Sequence, residues 1–301
     1  MIDLRRLQAF VAVAEEGHIT RAAERLGMQQ PPLTRLLHRL EAELGVLLLR
    51  RLPRGVQPTE AGEALLAEAR AVLARAEQVE DTVRRAARGE QGDLAVGFTS
   101  SAALHPIVPI ALRAFREEVP NVRLTLDEAG TAELVDAVLH ERLDAAFIRS
   151  PAAATPGVLV DPVAEEPMVA ALPAGSARAE GSGAIGLAAL ASEAFVLYRR
   201  HTGPGLYDAI LGACHAAGFS PRVVQDAPRL TATLSLVAAG LGVSLVPASM
   251  RRLTVAGVVY RDLERAGAPV APLHLVMRRT RHSATAARFR TTVRRLREAE
   301  G

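Results

Sequence analysis

The chain has 301 residues, 49% of them hydrophobic and 23% charged, which excludes a disordered protein and calls for two or three packed domains. Aromatic residues make up 3% and tryptophan is absent, so the cores must be aliphatic. A formal net charge of +3 neither requires nor excludes a nucleic-acid partner, and the 36 basic residues are all arginine, a chain-wide bias that singles out no site; the placement of the arginines has to carry the argument.

Leu4, Leu7, Phe10, Val11 and Ala14 recur at helical spacing and predict a helix ending at Gly17. A second helix is predicted from about Thr20, which can cap it, to Leu26. Ala23 is small enough for a close helix approach, and Gly27 admits a positive φ in the turn that follows. The third helix runs from about Gln30 to Leu44. Pro31 and Pro32 stand in its first turn, where backbone N–H groups have no helical partner, and Gly45 stops it. Leu33 and Leu36 turn inward, which leaves Gln30, Thr34 and Arg35 facing out. Two short helices joined by a sharp turn, with polar groups along the second, are how a protein lays a helix into the major groove of DNA. The plainer alternative for Thr34 and Arg35 is a solvated helix face.

Residues 46–56 have apolar ends around a basic Pro/Gly turn and predict a short hairpin, a wing that sets Arg51 and Arg54 against DNA phosphates or the minor groove. A long helix starts near Thr59. Leu65, Ala69, Val72, Ala76, Val79, Val83 and Ala86 repeat on it with a seven-residue period, a narrow apolar seam of the kind that pairs helices. The alternative is packing against the chain's own body. Paired helices would make a dimer with two reading helices about 34 Å apart.

After Arg88-Gly89-Glu90-Gln91-Gly92 strands and helices alternate: strand 94–98, helix 107–118, strand 122–126, helix 131–140, strand 143–148, strands 168–172 and 195–198, helices 206–217 and 230–239, strands 243–247 and 273–277, helix 286–299. This pattern predicts an α/β domain wound on a parallel sheet. Pro162 and Pro167 bracket a crossover between two lobes, and Ala266-Gly267-Ala268-Pro269 a return. The single cysteine, Cys214, excludes an intramolecular disulfide and a Cys-rich metal site and fits a reducing compartment. No signal-peptide pattern and no apolar run of the ~20 residues a spanning helix needs is present, so a cytoplasmic protein away from membranes is expected.

Residues 2–88 resemble the DNA-binding region and linker helix of LysR-type transcriptional regulators. The resemblance is carried by Leu4-Arg5-Arg6-Leu7-Gln8-Ala9-Phe10, Arg21-Ala22-Ala23-Glu24-Arg25-Leu26, Gln30-Pro31-Pro32-Leu33-Thr34-Arg35, Leu40-Glu41-Ala42-Glu43-Leu44-Gly45 and Thr59-Glu60-Ala61-Gly62. Residues 92–301 resemble the family's effector domain. The resemblance implies an N-terminal winged helix-turn-helix (1–58), a linker helix for dimerisation (59–90) and a two-lobed, periplasmic-binding-protein-like α/β effector domain (91–301). Lobe I then covers about 91–162 and 268–301, and lobe II about 163–267. It implies groove contacts by Gln30, Pro31, Thr34 and Arg35 and a wing contact by Arg54, with Arg51 on phosphate. The chemistry agrees, since Gln reads adenine, Arg reads guanine and Pro can touch a thymine methyl. It also implies a homodimer or homotetramer, promoter DNA and RNA polymerase as partners, and no cofactor. Three departures stand out. Gln29 replaces the family's usual Ser, which removes a good helix cap; Leu49 stands where Phe is common, and Arg50 where Glu is common.

Ser100 and Ser101 follow the first strand of the effector domain, and Thr131 follows the second, where open α/β sheets bind ligands and helix N-termini attract anions. Simple helix capping is the alternative for Thr131. Arg149, at a strand end, either neutralises an effector carboxylate or is an ordinary surface arginine. His201 and Thr202 are assigned to the cleft from a loop of the second lobe, with a plain loop role as the alternative for His201. These positions resemble regulators that sense muconate-type dicarboxylates. A two-lobed binding protein or an enzyme is the competing class. Ser100, His105 and Asp127 lack a Gly-x-Ser-x-Gly elbow, Gly240-Leu241-Gly242 lacks a third glycine, and Cys214-His215 lacks partners at metal spacing. Catalysis is therefore not expected.

Overall fold

The computed structural model describes residues 2–53, 55–149, 155–200 and 204–300. The chain divides into two compact units, Met1–Arg84 and Arg85–Gly301.

In the first unit, α1 (Leu4–Glu16) is capped by the Asp3 carboxylate and ends at Gly17 with φ 64°. The next helix, α2 (Ile19–Arg25), begins one residue before Thr20, and its N-cap is His18, whose side chain makes no capping hydrogen bond; the expected Thr20 cap does not form. Ala22 and Ala23 are buried, and Gly27 takes φ 65° in the turn. Helix α3 (Gln30–Leu44) carries prolines in its first turn and stops at Gly45 with φ 71°; Gln29 provides no side-chain cap. Its buried stripe is Leu33, Leu37 and Leu40, and Leu36 is only half-buried.

The hairpin forms as β1 (Leu49–Leu52) against β2 (Gly55–Pro58), antiparallel, with Leu52 opposite Gly55. Helix α4 (Glu60–Ala87) follows, and the Thr59 hydroxyl accepts a hydrogen bond from Gly62 N at 3.0 Å. The predicted seam splits. Leu65, Leu66, Ala69 and Leu73 pack into the core of α1–α3, while Val72, Val79 and Val83 remain 44%, 54% and 64% exposed. The near half of α4 therefore uses one side within its own unit, while Val72 on that half and Val79 and Val83 beyond it are left uncovered.

In the second unit, β3 (Gly92–Phe98) lies between β4 (Val122–Glu128) and β5 (Ala145–Ile148), parallel to both. Helices α5 (Ser100–Ala103), α6 (Ile107–Glu118) and α7 (Thr131–Leu139) connect or follow these strands. The long strand β6 (Val158–Pro173) then crosses to the second lobe. It runs antiparallel to β11 (Val270–Arg278), which returns and pairs with β5. The second lobe adds β7 (Ala194–Tyr198), α8 (Pro204–Ala216), β8 (Arg222–Ala227), α9 (Leu230–Ala238), β9 (Ser244–Pro247) and β10 (Val258–Asp262). Here β7 and β8 are parallel, but β9 and β10 pair antiparallel with β6. The sheets are thus mixed rather than parallel. The crossover expected between Pro162 and Pro167 is made by one continuous strand. Pro162 and Pro167 lie inside β6, and the register shifts opposite Leu273/His274, so Val163 is skipped. The bulge interrupts the ladder beside Pro162, the kind of place where a strand tolerates proline, while Pro167 pairs in register with Val270. The last helix, α10 (Ala284–Glu300), closes the first lobe, where Phe289 meets Phe115 edge-on at 5.3 Å. Among the described residues no helix is long and apolar enough to cross a membrane, and no cluster of His, Cys, Asp and Glu suits a metal ion.

The start of α4 sits against the wing with no room to spare: a Cβ at Gly62 would lie 2.1 Å from the Leu48 carbonyl oxygen. Gly62→Ala is expected to destabilise the first unit by at least the roughly 1–3 kcal/mol typical of overpacking. Thermal unfolding checks this, and a variant that melts at the wild-type temperature would show that the helix can slide away from Leu48.

Candidate DNA-reading surface and effector cleft

Burial of Leu33, Leu37 and Leu40 fixes which face of α3 looks outward. Gln30, Pro31 and Arg35 are exposed on that face. Thr34 is half-exposed, and its hydroxyl donates to the Gln30 carbonyl at 3.0 Å, which leaves its oxygen free to accept from a ligand. The arginines of this unit divide by partner. Arg25 and Arg70 both bond Glu15, at 2.8 and 2.9 Å, and together hold its carboxyl below the usual range, with the Arg70 hydrogen bond the largest cause. Arg6 pairs with Glu43, and Arg50 donates to Gln57 at 2.7 Å. Arg35 and Arg51 have no partner among the described residues, and neither has Arg39 one turn beyond Arg35 on α3. Arg54 lies outside the described residues. Arg25 and Arg70 staple helices together, whereas Arg35, Arg39 and Arg51 stand without partners among the described residues on the reading helix and the wing, where a phosphate or a guanine edge could engage them.

In the second unit a cavity of about 230 Å³ opens between the lobes. Its first-lobe wall is made by the starts of α5 and α7, and its second-lobe wall by the starts of α8 and α9. Thr99 caps α5, and Ser100 donates to the Glu128 carboxylate at 2.6 Å. Ser101 is buried and offers its carbonyl to Arg149. Thr131 lines the cavity as the first residue of α7. Gly130 holds the N-cap position, and its N–H is served by Glu133 at 3.2 Å, so Thr131 is not the cap.

Arg149 is only 3% exposed, which overturns its reading as a surface arginine. It is also already engaged. Its Nη2 donates to the Glu166 carboxylate and to the Ser101 carbonyl at 3.0 Å, and its Nη1 donates to the Ala271 carbonyl at 3.3 Å. Burial pushes its pKa down, and the Glu166 charge opposes that. Its Nε is buried without a partner among the described residues. His201 and Thr202 lie outside the described residues; Gly205 and Leu206 next to them line the cavity.

Two groups escaped the sequence reading. Arg229, the N-cap residue of α9, reaches across the cavity and donates to Glu128 at 2.6 Å. The available signal was its place directly before a predicted helix at the cleft. Glu166 left none, because its role depends on the crossover strand. No catalytic pairing forms from the residues weighed: the Ser100 hydroxyl goes to Glu128, and His105 Nδ1 accepts from Ile107 N at 3.3 Å. Cys214 is buried, and burial pushes its thiol up to about 11, far from a reactive thiolate.

Comparison with known proteins agrees with this architecture. Residues 4–63 match the family model "Bacterial regulatory helix-turn-helix protein, lysR family", and residues 87–297 match "LysR substrate binding domain". The HTH-type transcriptional regulator BudR of Raoultella terrigena is 38% identical over 288 residues, covering 96% of this chain and 99% of that protein. The crystal structure of CbnR, a LysR family transcriptional regulator, superposes with a TM-score of 0.83 at 32% identity, covering 97% of this chain and all of that one. Full-length CbnR complexed with its target DNA gives 0.79 at 32% identity, covering 98% and 100%. The chain therefore belongs to the LysR family of DNA-binding transcriptional regulators, with an N-terminal helix-turn-helix and a two-lobed effector-binding domain.

Proposed function

We propose that a small organic acid, held between the lobes, controls how a pair of α3 helices sits on promoter DNA. In this reading Gln30, Pro31, Thr34 and Arg35 contact base edges, while Arg51 and Arg54 hold the backbone from the wing. The carrying observation is that Arg35, Arg39 and Arg51, on one helix face and the adjoining hairpin, have no protein partner among the described residues. Dimers form through the exposed stripe Val72, Val79 and Val83 of α4. Effector domains join dimers into tetramers through the edge of β4 that has no strand partner among the described residues, where Leu126 is exposed. The assembly works in the cytoplasm, where it meets promoter DNA and RNA polymerase.

A carboxylate suits the cleft for three reasons. Helix starts present backbone N–H groups. The Ser100 and Thr131 hydroxyls and Arg149 line one wall. Arg229 stands opposite on the second lobe, held by Glu128. An incoming carboxylate competes with Glu128 for Arg229 and for the Ser100 hydroxyl, so binding and the lobe-to-lobe bridge are linked. The ligand shifts the arrangement only by its differential affinity for the two states. Muconate-type dicarboxylates are the first candidates, given the resemblance of the cleft positions.

Arg35→Ala is expected to lose discrimination at one base pair of the operator by roughly 1–3 kcal/mol while keeping general affinity. Arg51→Ala should weaken all duplexes alike and lower the slope of log affinity against log salt by about 1. Titrations on a duplex selected from a random pool, and on its single-base variants, check both. Unchanged selectivity in Arg35→Ala removes the contact assignment.

A thermal-shift series of small carboxylates should raise the unfolding temperature of the wild-type protein. A ligand at 100 times its dissociation constant adds about 2.7 kcal/mol. Arg229→Met should reduce that shift for the same acid. No shift from any acid, or equal shifts in both proteins, counts against the carboxylate site and leaves the DNA assignment untouched.

A further inference from the structure

The two strands of the wing are four residues each, and none of the eight residues is fully buried. A two-stranded hairpin is marginal by itself, so anchors at its base must set its direction. The backbone there is held at several points. The Thr59 hydroxyl donates to the Leu47 carbonyl at 2.7 Å, and Thr59 N donates to the Leu48 carbonyl at 2.9 Å. Val56 N donates to the Gly17 carbonyl at 2.8 Å. These fix the hairpin to the linker helix and to the end of α1. One further anchor comes from the reading helix. Glu41, on the fourth turn of α3, has a side chain only 12% exposed, and its Oε1 accepts from Leu48 N at 2.9 Å and Leu49 N at 3.3 Å. Its Oε2 lies 3.7 Å from Nδ1 of His38, one turn back towards the reading face.

We infer that Glu41 is the positioning residue that transmits the placement of α3 to the wing, so that Arg51 meets the backbone in register with the bases read by Arg35. A carboxylate accepting two backbone N–H groups makes charge-assisted hydrogen bonds, the stronger kind, with a fixed direction. Arg51 stands two residues beyond Leu49 on β1, so a loosened Leu48–Leu49 backbone swings its guanidinium away from one phosphate. Arg35, by contrast, rides on α3 itself and does not depend on the wing. The inference rests on the DNA contacts proposed above.

The test is a double-mutant cycle on the full-length protein, with Arg51→Ala, Glu41→Ala and their combination. The probe is the duplex that the wild-type protein selects from a randomised pool. Arg51→Ala alone should cost several-fold in affinity. Glu41→Ala should cost about the same, and adding Arg51→Ala to it should cost almost nothing more. Preference for the selected base pair under Arg35 should survive in all three. Glu41→Gln keeps one acceptor oxygen for Leu48 N, so it should retain most of the wild-type affinity, and Arg51→Ala should cost nearly its full amount on top of it; should Glu41→Ala fold poorly, Glu41→Met, of similar volume and without an acceptor oxygen, carries the cycle. Equal cost of Arg51→Ala in the presence and absence of Glu41 overturns the inference. So does loss of base preference together with wing affinity, which would make Glu41 a general helix–strand staple. A wild-type protein that selects no duplex overturns the DNA reading itself, a result distinct from either.

Discussion

The effector domain is organised around one buried ion pair. Arg149, at the end of the first lobe's inner strand, meets Glu166 on the strand that crosses between lobes. Burying both charges costs several kcal/mol per ion unless the remaining hydrogen-bonding groups are served. Most of them are. Arg149 donates to carbonyls of Ser101 and Ala271, and Glu166 accepts from Ser249 N at 2.5 Å and the Ser249 hydroxyl at 2.9 Å. The pair therefore ties together the start of α5, strands β5, β6 and β11, and a short 3-10 helix of the second lobe, Ala248–Arg252. These elements converge at the floor of the cleft. Any ligand-driven movement of the lobes has to turn about this point or break it, and breaking a buried pair typically costs about 3–5 kcal/mol. Movement about it is the cheaper course.

An arginine-only chain shows how context assigns different work to one side chain. Arg149, Arg261 and Arg278 are drawn inward and spend their donors on carbonyl oxygens of loops and strand ends. Arg25 and Arg70 converge on Glu15 and hold α2 and α4 to α1. Arg35, Arg39 and Arg51, on the reading helix and the wing, have no partner among the described residues. The fork geometry that satisfies several carbonyls at once is the same geometry that grips a phosphate or a guanine edge. Partner supply, rather than residue type, decides which arginines are available to DNA.

The helix-turn-helix was legible because its signals are local. Gly17, Gly27 and Gly45 mark three chain reversals by positive φ, and Pro31 and Pro32 mark a helix start. Ser100, Ser101 and Thr131 could be placed at the cleft because strand-to-helix junctions are also local. Long-range features were not legible. Of strand β6 only the stretch 168–172 was legible, because Pro162 and Pro167 interrupt the strand pattern before it, and β8 and β10 depend on partners far along the chain. Arg149 looked like a strand-end arginine until Glu166 was brought to it by the crossover. The seam on α4 was legible as a pattern, but its division between an inward half and an outward half depends on where the α1–α3 core ends.

The charge balance of the cleft limits how a ligand can switch the protein. Both arginines that line it are ion-paired within the chain, Arg149 with Glu166 and Arg229 with Glu128. Replacing Glu128 by a ligand carboxylate exchanges one partly exposed ion pair for another. Exposed pairs are worth about 0–1 kcal/mol, so the exchange alone yields little. Moving a two-state equilibrium from 1:99 to 99:1 takes about 5.5 kcal/mol of differential affinity. On the proposed reading, most of that must come from what the exchange permits. Leu206 and Leu230 on the second lobe can close over the ligand, and backbone N–H groups at the helix starts can be satisfied without water. The carboxylate then serves to select the ligand and release the bridge, while burial of its apolar remainder drives closure.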